Sequence, residues 1–233
     1  MPVLYLIPTF LSDNTVQQVF PLDVINIIQD LKQFVVEDIR TARRFLLKME
    51  YSGSIYLLNF KELNEHSKKN EIASLLPYLL ENDTGLLSEA GTPCVADPGA
   101  ELVRLAHANG IKVVPLVGPS SILMALMASG LDGQSFAFVG YLPVKQNERK
   151  KRLRVLEKRS ANERQTQIFI ETPYRNIRLL EDIIKCCRIS TMLTIAADIS
   201  GKNEFIRTQT VQQWKKKLPD IHKIPAVFLL QAN

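Results

Sequence analysis

Two loops rich in small residues, at 88–99 and 118–121, are the segments of this 233-residue chain best suited to hold a ligand. The first reads SEAGTPCVADPG and the second reads GPSS; each follows an apolar run and precedes a helix-like stretch. Glycine, serine, threonine and proline at such junctions let the backbone approach a bound molecule and present its N–H groups. Together they predict a small-molecule cleft at strand ends. Taken singly, Gly91–Pro93 and Gly118–Pro119 are also typical of ordinary tight turns.

A basic segment at 145–164 suggests a second kind of chemistry. It contains nine Lys or Arg and three Glu, a net charge of +6, whereas the whole chain carries +5. Positive charge concentrated in one short segment is typical of a surface that binds a phosphate backbone. Leu153 and Leu156 lie on one side of the segment, as in any surface helix, so a solvated helix face is the alternative.

The composition indicates an ordinary soluble globular chain, with 46% apolar and 23% charged residues. Its length allows a sizeable core in one or two domains. No signal-peptide pattern is visible at the N-terminus. The longest uncharged run, 113–131, contains Pro115, Gly118 and Pro119. We therefore expect a strand, a turn and a buried helix there, no membrane partner, and a cytoplasmic location.

Cysteine and histidine usage argues against disulfides and metal. The three cysteines, Cys94, Cys186 and Cys187, have no paired spacing, which is typical of a cytoplasmic chain. The three histidines are scattered, so no metal site is predicted.

Apolar runs alternate with amphipathic stretches along the whole chain. Strands are predicted at 3–7, 34–36, 55–58, 85–87, 113–116, 136–139, 168–170, 193–197 and 226–230. Helices are predicted at 23–32, 41–49, 69–80, 99–109, 121–129, 147–158, 174–186 and 211–217. This alternation predicts the α/β class. We expect two α/β domains, 1–117 and 118–233, with the ligand cleft between them.

A series of motifs occurs in a specific order and covers nearly the whole chain. They are LYLIPT (4–9), VEDIRTARRFL (36–46), NEH (64–66), LSEAGTPCVADPG (87–99), VVPLVGPSS (113–121), GYLPVK (140–145), FIETPYR (169–175) and EFIRTQT (204–210). This set resembles the tetrapyrrole methylase superfamily, the class III S-adenosylmethionine-dependent methyltransferases. The resemblance is nearest to the branch that methylates a ribose 2′-oxygen of small-subunit ribosomal RNA.

The resemblance implies a fold, a cofactor and a set of contacts. Two α/β domains would hold S-adenosylmethionine between them, and the protein would be a homodimer acting on ribosomal RNA or the small ribosomal subunit. The implied cofactor-binding residues are Pro8, Thr9, Ser88, Gly91, Thr92, Pro93, Val95, Ala96, Ser120, Ser121, Thr172 and Ala197. The implied substrate-binding residues are Arg40, Lys150, Lys151, Arg152 and Arg175.

The catalytic residue is left open at this point. Methyl transfer depends mainly on alignment of the reactants, but an oxygen nucleophile benefits from a base. Glu37, Asp38 and Glu65 are the candidates. The alternatives are an ion-pair cluster of Glu37 and Asp38 with Arg40 at a strand end, and an ordinary exposed polar side chain for Glu65. Glu171 and Arg175 are spaced so that they could simply pair with each other.

Several positions depart from the pattern of the family. The first loop, FLSDNTVQQVF, has no glycine; Asn64 and Ala197 replace a usual histidine and arginine; and Glu89 and Cys94 replace Asp and Gly. Longer relatives also carry a further C-terminal domain. The predicted function is methylation of ribosomal RNA. The alternatives are methylation of a tetrapyrrole or another small molecule, and a catalytically silent cofactor- or RNA-binding relative.

Overall fold

The computed structural model describes residues 2–232 and divides the chain into two compact units, Met1–Ser120 and Ser121–Asn233. Each unit consists of one five-stranded sheet with helices. Both units are of the α/β class predicted from the sequence. Within the described residues, no helix is both long enough and apolar enough to cross a membrane.

The first unit contains a fully parallel sheet. Its strands are β1 (Val3–Ile7), β2 (Gln33–Val36), β3 (Asn59–Glu62), β4 (Thr84–Leu87) and β5 (Lys112–Pro115). Its helices are α1 (Val16–Val19), α2 (Leu22–Asp30), α3 (Ile39–Lys48), α4 (Lys69–Ala73), α5 (Leu76–Glu81) and α6 (Ala100–Ala108). The strand order is β3-β2-β4-β1-β5, and every pair is parallel.

Both faces of this sheet are covered, which explains why its central strands read as continuous apolar runs. Phe34 and Val36 point into one hydrophobic cluster, whereas Val35, between them, belongs to the cluster on the other face. In the same way, Leu87 belongs to the cluster of Phe34 and Val36, and Leu86 belongs to the cluster of Val35. A buried parallel sheet exposes only its strand ends, so polar groups that act on a ligand must lie there.

The second unit contains a mixed sheet. Its strands are β6 (Phe136–Tyr141), β7 (Thr166–Ile170), β8 (Met192–Ala197), β9 (Phe205–Thr210) and β10 (Ala226–Gln231). Its helices are α7 (Ser121–Ser129), α8 (Gln146–Glu163), α9 (Asn176–Cys186) and α10 (Val211–Trp214). The order is β6-β7-β10-β8-β9; only β6 and β7 pair in parallel.

The core of the second unit gathers α8, α9 and the sheet around Phe169, Phe228 and Trp214. Trp214 is 2% exposed, and its indole N–H donates to the carbonyl oxygen of Leu193 at 2.9 Å. Because that donor is satisfied, the indole adds apolar area to the core without the cost of a buried unpaired N–H.

Four elements differ from the sequence-based prediction, of which the first is the short helix α1, absent from the predicted helices. The strand predicted at 55–58 is wrong: Ile55–Leu57 forms a 3₁₀ turn with Tyr56 and Leu57 exposed, and the strand follows at β3. The single helix predicted at 69–80 is two helices, α4 and α5. Strand β9 was not predicted, because its sequence FIRTQT is half polar, as suits the edge of a sheet.

Candidate active site

The carboxyl ends of the first unit's strands bring the predicted ligand loops together. The sheet order places β4 between β2 and β1, with β5 beyond β1. Since all five strands run parallel, the segments that follow them lie along one edge. Pro8–Thr9, Glu37–Asp38, the 88–99 loop and the 116–120 segment therefore occupy one side of the unit.

The loops after β1 and β4 are joined by backbone hydrogen bonds. The Thr9 N–H donates to the Gly91 carbonyl at 2.8 Å, and the Gly91 N–H donates to the Thr9 carbonyl at 3.3 Å. The hydroxyl of Ser88 also donates to the Gly91 carbonyl, at 3.3 Å. Gly91 has a φ of +75°, a conformation that favours glycine. The two loops therefore form one small platform rather than two independent turns.

The loop after β5 packs closely against that platform. A methyl group at Gly118 would lie 2.5 Å from the Cβ of Pro8, and one at Gly91 would lie 3.2 Å from Leu11. The ring of Pro8 thus packs directly on the backbone at 118, which leaves no room for a side chain at that position. Glycine is therefore required at 118 by a contact between loops and favoured at 91 by the backbone conformation, so these positions do more than close two independent turns.

The middle of the 88–99 loop carries backbone strain on non-glycine residues. Cys94 and Ala96 have φ values of 67° and 66°, and Val95 between them is exposed despite its apolar side chain. Left-handed conformations at such residues cost free energy and concentrate at binding and catalytic sites. The strained turn presents Val95 and Ala96 on the surface, whereas Pro93 is buried.

The remaining implied cofactor residues lie in the second unit. Ser121 begins α7 and is partly buried. The backbone N–H of Thr172 donates to a carboxylate oxygen of Glu171 at 2.7 Å. Ala197 is the last residue of β8, and its side chain is buried in the core. These residues stay predictions.

A cavity of about 180 Å³ opens beside the platform, within the first unit. Its apolar lining includes Phe10 and Phe45, whose ring centroids lie 5.8 Å apart. Strand ends and helix α3 supply its polar and charged lining, which consists of Thr9, Glu37, Asp38, Thr41, Arg44, Lys48, Ser88 and Glu89. The cavity thus has an aromatic side and a polar side, as ligand sites commonly do.

Two polar atoms of this lining are buried and have no hydrogen-bond partner within the described part of the chain. They are Oγ1 of Thr9, a residue only 4% exposed, and Oε1 of Glu37. An unsatisfied buried polar group costs about 1–3 kcal/mol, so such groups are rare without a reason. Both belong to residues that line the cavity, which marks this side of the cavity as a candidate polar site.

The carboxyl groups around the cavity raise one another's pKa values. Burial, and then repulsion from Asp97 and Glu89, raise the pKa of Glu37 to about 7. A hydrogen bond from the backbone N–H of Glu89 lowers this pKa but does not offset the increase. Burial and the charge of Glu89 raise the pKa of Asp97 to about 6, although the Ser88 hydroxyl opposes the shift. Glu37 therefore exchanges its proton near neutral pH.

The other two candidate bases are placed differently. Asp38 is the N-cap of α3: its Oδ1 accepts from the Thr41 N–H at 2.7 Å and from the Thr41 hydroxyl at 3.0 Å, and these bonds lower its pKa. Glu65 has a side chain 83% exposed, with its Oε1 3.7 Å from His66. Of the three, only Glu37 combines burial, a cavity and an unsatisfied oxygen.

Helix α3 contributes charges that the sequence analysis did not select. Arg44 and Lys48 line the cavity, whereas Arg40, the implied substrate residue, is exposed and lies outside the lining. The cavity face of α3 follows the spacing 41, 44, 45, 48, one face of a helix. Lys48 is held at the rim by Asp13 at 2.9 Å. The helical spacing of these positions is the sequence signal that could have identified Arg44 and Lys48 as cavity residues.

Helix α8 carries the basic segment and divides it by burial. Arg149 is buried against Asp182, with Nε and Nη2 at 2.9 and 2.6 Å from one carboxylate oxygen. The Nζ of Lys150 lies 3.5 Å from the other oxygen of Asp182. Lys151 and Arg152 are exposed, and their role in substrate binding stays a prediction.

The outer surface of α8 carries a stripe of positive charge. Lys151, Arg154 and Lys158 are exposed, and their i, i+3, i+7 spacing puts them on one face. Arg159, by contrast, is paired with Glu163 at 3.0 Å. We call Lys151, Arg154 and Lys158 the basic stripe.

Arg175 makes the pairing that the sequence left as an alternative. Its Nε and Nη2 lie 2.9 and 2.5 Å from Oε1 of Glu171. Oε2 of Glu171 is buried with no partner among residues 2–232. Arg175 is thus already engaged, and a substrate contact would have to share its guanidinium. Across the same residues, no three His, Cys, Asp or Glu side chains form a group that could hold a metal ion.

Comparison with known proteins gives consistent findings. The family model described as tetrapyrrole (corrin/porphyrin) methylases matches residues 21–214. A protein of Vibrio cholerae named ribosomal RNA small subunit methyltransferase I is 32% identical, over 88% of this chain and 68% of its own. The protein of the same name from Escherichia coli O157:H7 is 30% identical, over 99% of this chain and 78% of its own length. Among solved structures, the methyltransferase CobJ superposes with a TM-score of 0.64 at 15% identity, over 99% and 94% of the two chains.

Proposed function

The chain belongs to the tetrapyrrole (corrin/porphyrin) methylase family, and on that premise we propose that it methylates a ribose 2′-oxygen of small-subunit ribosomal RNA. It is an S-adenosylmethionine-dependent methyltransferase. The cofactor supplies a methyl group already activated on a sulfonium sulfur. The protein's task is to bind, align and exclude water.

The joined loops of the first unit are the observation that carries this proposal. They fit the cofactor because they offer close backbone approach at Gly91 and Gly118, an exposed apolar Val95, and the unsatisfied hydroxyl of Thr9. Small residues let backbone groups reach polar ends of a ligand, and Val95 can pack on its apolar parts. Ser88 braces the platform by its bond to the Gly91 carbonyl.

The basic stripe on α8 supports RNA as the substrate class. Lys151, Arg154 and Lys158 form no ion pair that would neutralise them among the described residues, so their charge is available to phosphates. Phosphate neutralisation by Lys and Arg is the general source of affinity for nucleic acids.

Location and assembly are part of the same proposal. We propose a cytoplasmic location, which a ribosomal RNA substrate supports. We propose a homodimer, supported by large apolar side chains that each unit leaves exposed, among them Tyr56 and Leu57 in the first and Met127 in the second. Light scattering on the purified protein tests the dimer; a monomeric mass at micromolar concentration would contradict it.

The function is tested by mapping ribosomal RNA modifications by mass spectrometry in a strain that lacks the gene. The expected result is loss of one 2′-O-methyl group from small-subunit RNA, restored by the wild-type chain. A Gly91→Val variant should not restore it, since a β-branched residue at a φ of +75° is strained and displaces the loop. An unchanged map would overturn the proposal and favour a small-molecule substrate.

A further inference from the structure

We propose that Glu37 is the catalytic base, the group that accepts the proton of the substrate hydroxyl during methyl transfer. This inference rests on the proposed function and adds to it the residue that activates the nucleophile. Three observations carry it: the position of Glu37 beside the cofactor platform, a buried unsatisfied oxygen on a residue that lines the cavity, and the occupation or exposure of the other two carboxylates.

The position follows from the sheet order. Glu37 directly follows β2, and β2 pairs with β4, whose loop forms the platform with Thr9. The cavity lies between them, because Thr9 and Ser88 of the platform and Glu37 of the β2 end all line it. A substrate group in the cavity would therefore touch Glu37 on one side and the cofactor platform on the other.

The chemistry of the site favours an acceptor at this place. One oxygen of Glu37 accepts from the Glu89 backbone N–H and is fixed by it, whereas Oε1 is buried and unsatisfied among the residues described. A hydroxyl group is the donor that would satisfy it. The buried hydroxyl of Thr9, also without a partner there, is an independent sign that this cavity takes a polar ligand.

The charges around Glu37 make it a base of suitable strength. Asp97 and Glu89 from the loop after β4, and Glu65 from the segment after β3, repel its ionised form. Helix α3 presents Thr41, Arg44 and Lys48 to the same cavity. A pKa of about 7 leaves much of the carboxyl ionised near neutral pH while it still holds a proton well.

The balance of the step is simple. As the hydroxyl oxygen bonds to the methyl carbon, the carbon–sulfur electron pair returns to sulfur and leaves a neutral thioether. The hydroxyl proton passes to Glu37, which later releases it to water. Asp38 cannot take this role without giving up the cap of α3, since its Oδ1 already holds two bonds from Thr41.

The test compares Glu37→Gln, Glu37→Asp and Asp38→Asn in methyl transfer to small ribosomal subunits from a strain lacking the gene. Glu37→Gln should lower kcat by about 10²–10⁴-fold with little change in KM, which is the usual contribution of a general base. The variant should also lack the rise of kcat with pH that the wild type shows with an apparent pKa near 7. Glu37→Asp should restore part of the rate and the rise. Asp38→Asn changes the neighbouring carboxylate of the cavity lining; whatever its rate, the rise with an apparent pKa near 7 should remain.

A second readout does not depend on activity. A carboxyl whose folded pKa is raised loses stability as pH rises from its unfolded pKa through its folded one. The free energy of unfolding of the wild type should therefore fall between about pH 4.5 and 7 relative to Glu37→Gln. Equal profiles would show that Glu37 is not the perturbed group.

The outcomes separate the two claims. A wild type that transfers methyl groups to RNA, beside a Glu37→Gln variant of similar kcat, overturns the inference and leaves the proposed function standing. Loss of the pH-dependent rise in a Glu65→Gln variant instead would assign the base to Glu65 and overturn it too. A wild type that transfers no methyl group to RNA overturns the proposed function and the inference together.

Discussion

Removal of the Asp182 carboxylate should destabilise the second unit far more than a surface ion pair would. Asp182→Leu leaves the guanidinium of Arg149 buried, with its side chain 5% exposed in the wild type and only the carbonyl oxygens of Pro143 and Val144 as acceptors. Breaking one side of a buried pair costs about 3–5 kcal/mol, because it strands an uncompensated charge.

The size of the effect follows from how completely the pair is withdrawn from water. Asp182 is fully buried and accepts three hydrogen bonds, two from Arg149 and one from Gln146 at 2.9 Å. Burial raises the pKa of Asp182, but the bonds from Arg149 and Gln146 outweigh it, and the pKa lies below its ordinary value. Such a carboxylate contributes stability at neutral pH that is lost as pH falls through its folded pKa.

A double-mutant cycle measures this coupling directly. The wild type, Arg149→Met, Asp182→Leu and the double variant are unfolded in urea and followed by circular dichroism. Replacing both charges with apolar groups of similar volume is often neutral, so the double variant should recover most of the loss. The coupling energy should therefore exceed about 2 kcal/mol. Below about pH 4, near the ordinary pKa of an aspartate, the difference between wild type and Asp182→Leu should shrink.

A matched exposed pair on the same helix sets the baseline. Arg159 and Glu163 have side chains 48% and 49% exposed, and breaking such a pair costs less than about 1 kcal/mol. If Asp182→Leu costs no more than Arg159→Ala, the reasoning from burial is refuted. The result also bears on function, because this pair fixes α8, and with it the basic stripe, to α9.

Two further predictions concern ligands. Gly118→Ala places a methyl group 2.5 Å from the Cβ of Pro8, so it should weaken S-adenosylmethionine binding at least tenfold by calorimetry, whereas Gly133→Ala, with open space around it, should not; equal affinities would mean that the platform does not hold the cofactor. Charge reversal of the basic stripe (Lys151→Glu, Arg154→Glu and Lys158→Glu together) should weaken RNA binding. It should also reduce the slope of log K against log salt concentration by about 2–3, since each lost phosphate contact contributes about 0.7–0.9 to that slope. The same triple reversal at Lys215, Lys216 and Lys217 is the control for net charge, and an equal effect there would show that α8 has no special role.

Much of the fold could be predicted because its determinants are local. Buried strands such as β1 and β4 are short apolar runs, and α3 has an apolar period set by Ala42, Phe45 and Leu46. The 55–58 segment failed because a four-residue apolar run is ambiguous. Only the lack of tertiary cover, visible in the exposure of Tyr56, decides that it turns rather than extends.

The candidate site was predictable in its loops but not in its charges. Gly91 and Gly118 are visible in the sequence: each is typical of a tight turn when taken singly, but their place in an ordered series of motifs indicates ligand loops. The grouping of Glu37 with Glu89 and Asp97 depends on β2 pairing with β4, about 50 residues away, which no local pattern encodes. Likewise, Arg44 lines the cavity and Arg40, one helical turn earlier on α3, does not, and this difference depends on where the tertiary fold places the helix.

The burial of Trp214 has a practical consequence for any spectroscopic study of this chain. It is the only tryptophan in the sequence, and it lies in the core of the second unit. Intrinsic fluorescence excited at the red edge of the absorption band, where tyrosine does not absorb, therefore reports on the half of the chain that carries α8. It should be nearly silent about the half that carries Glu37 and its cavity. An emission curve and a far-ultraviolet curve that fail to superimpose would then reveal two halves that melt separately, without any label being introduced.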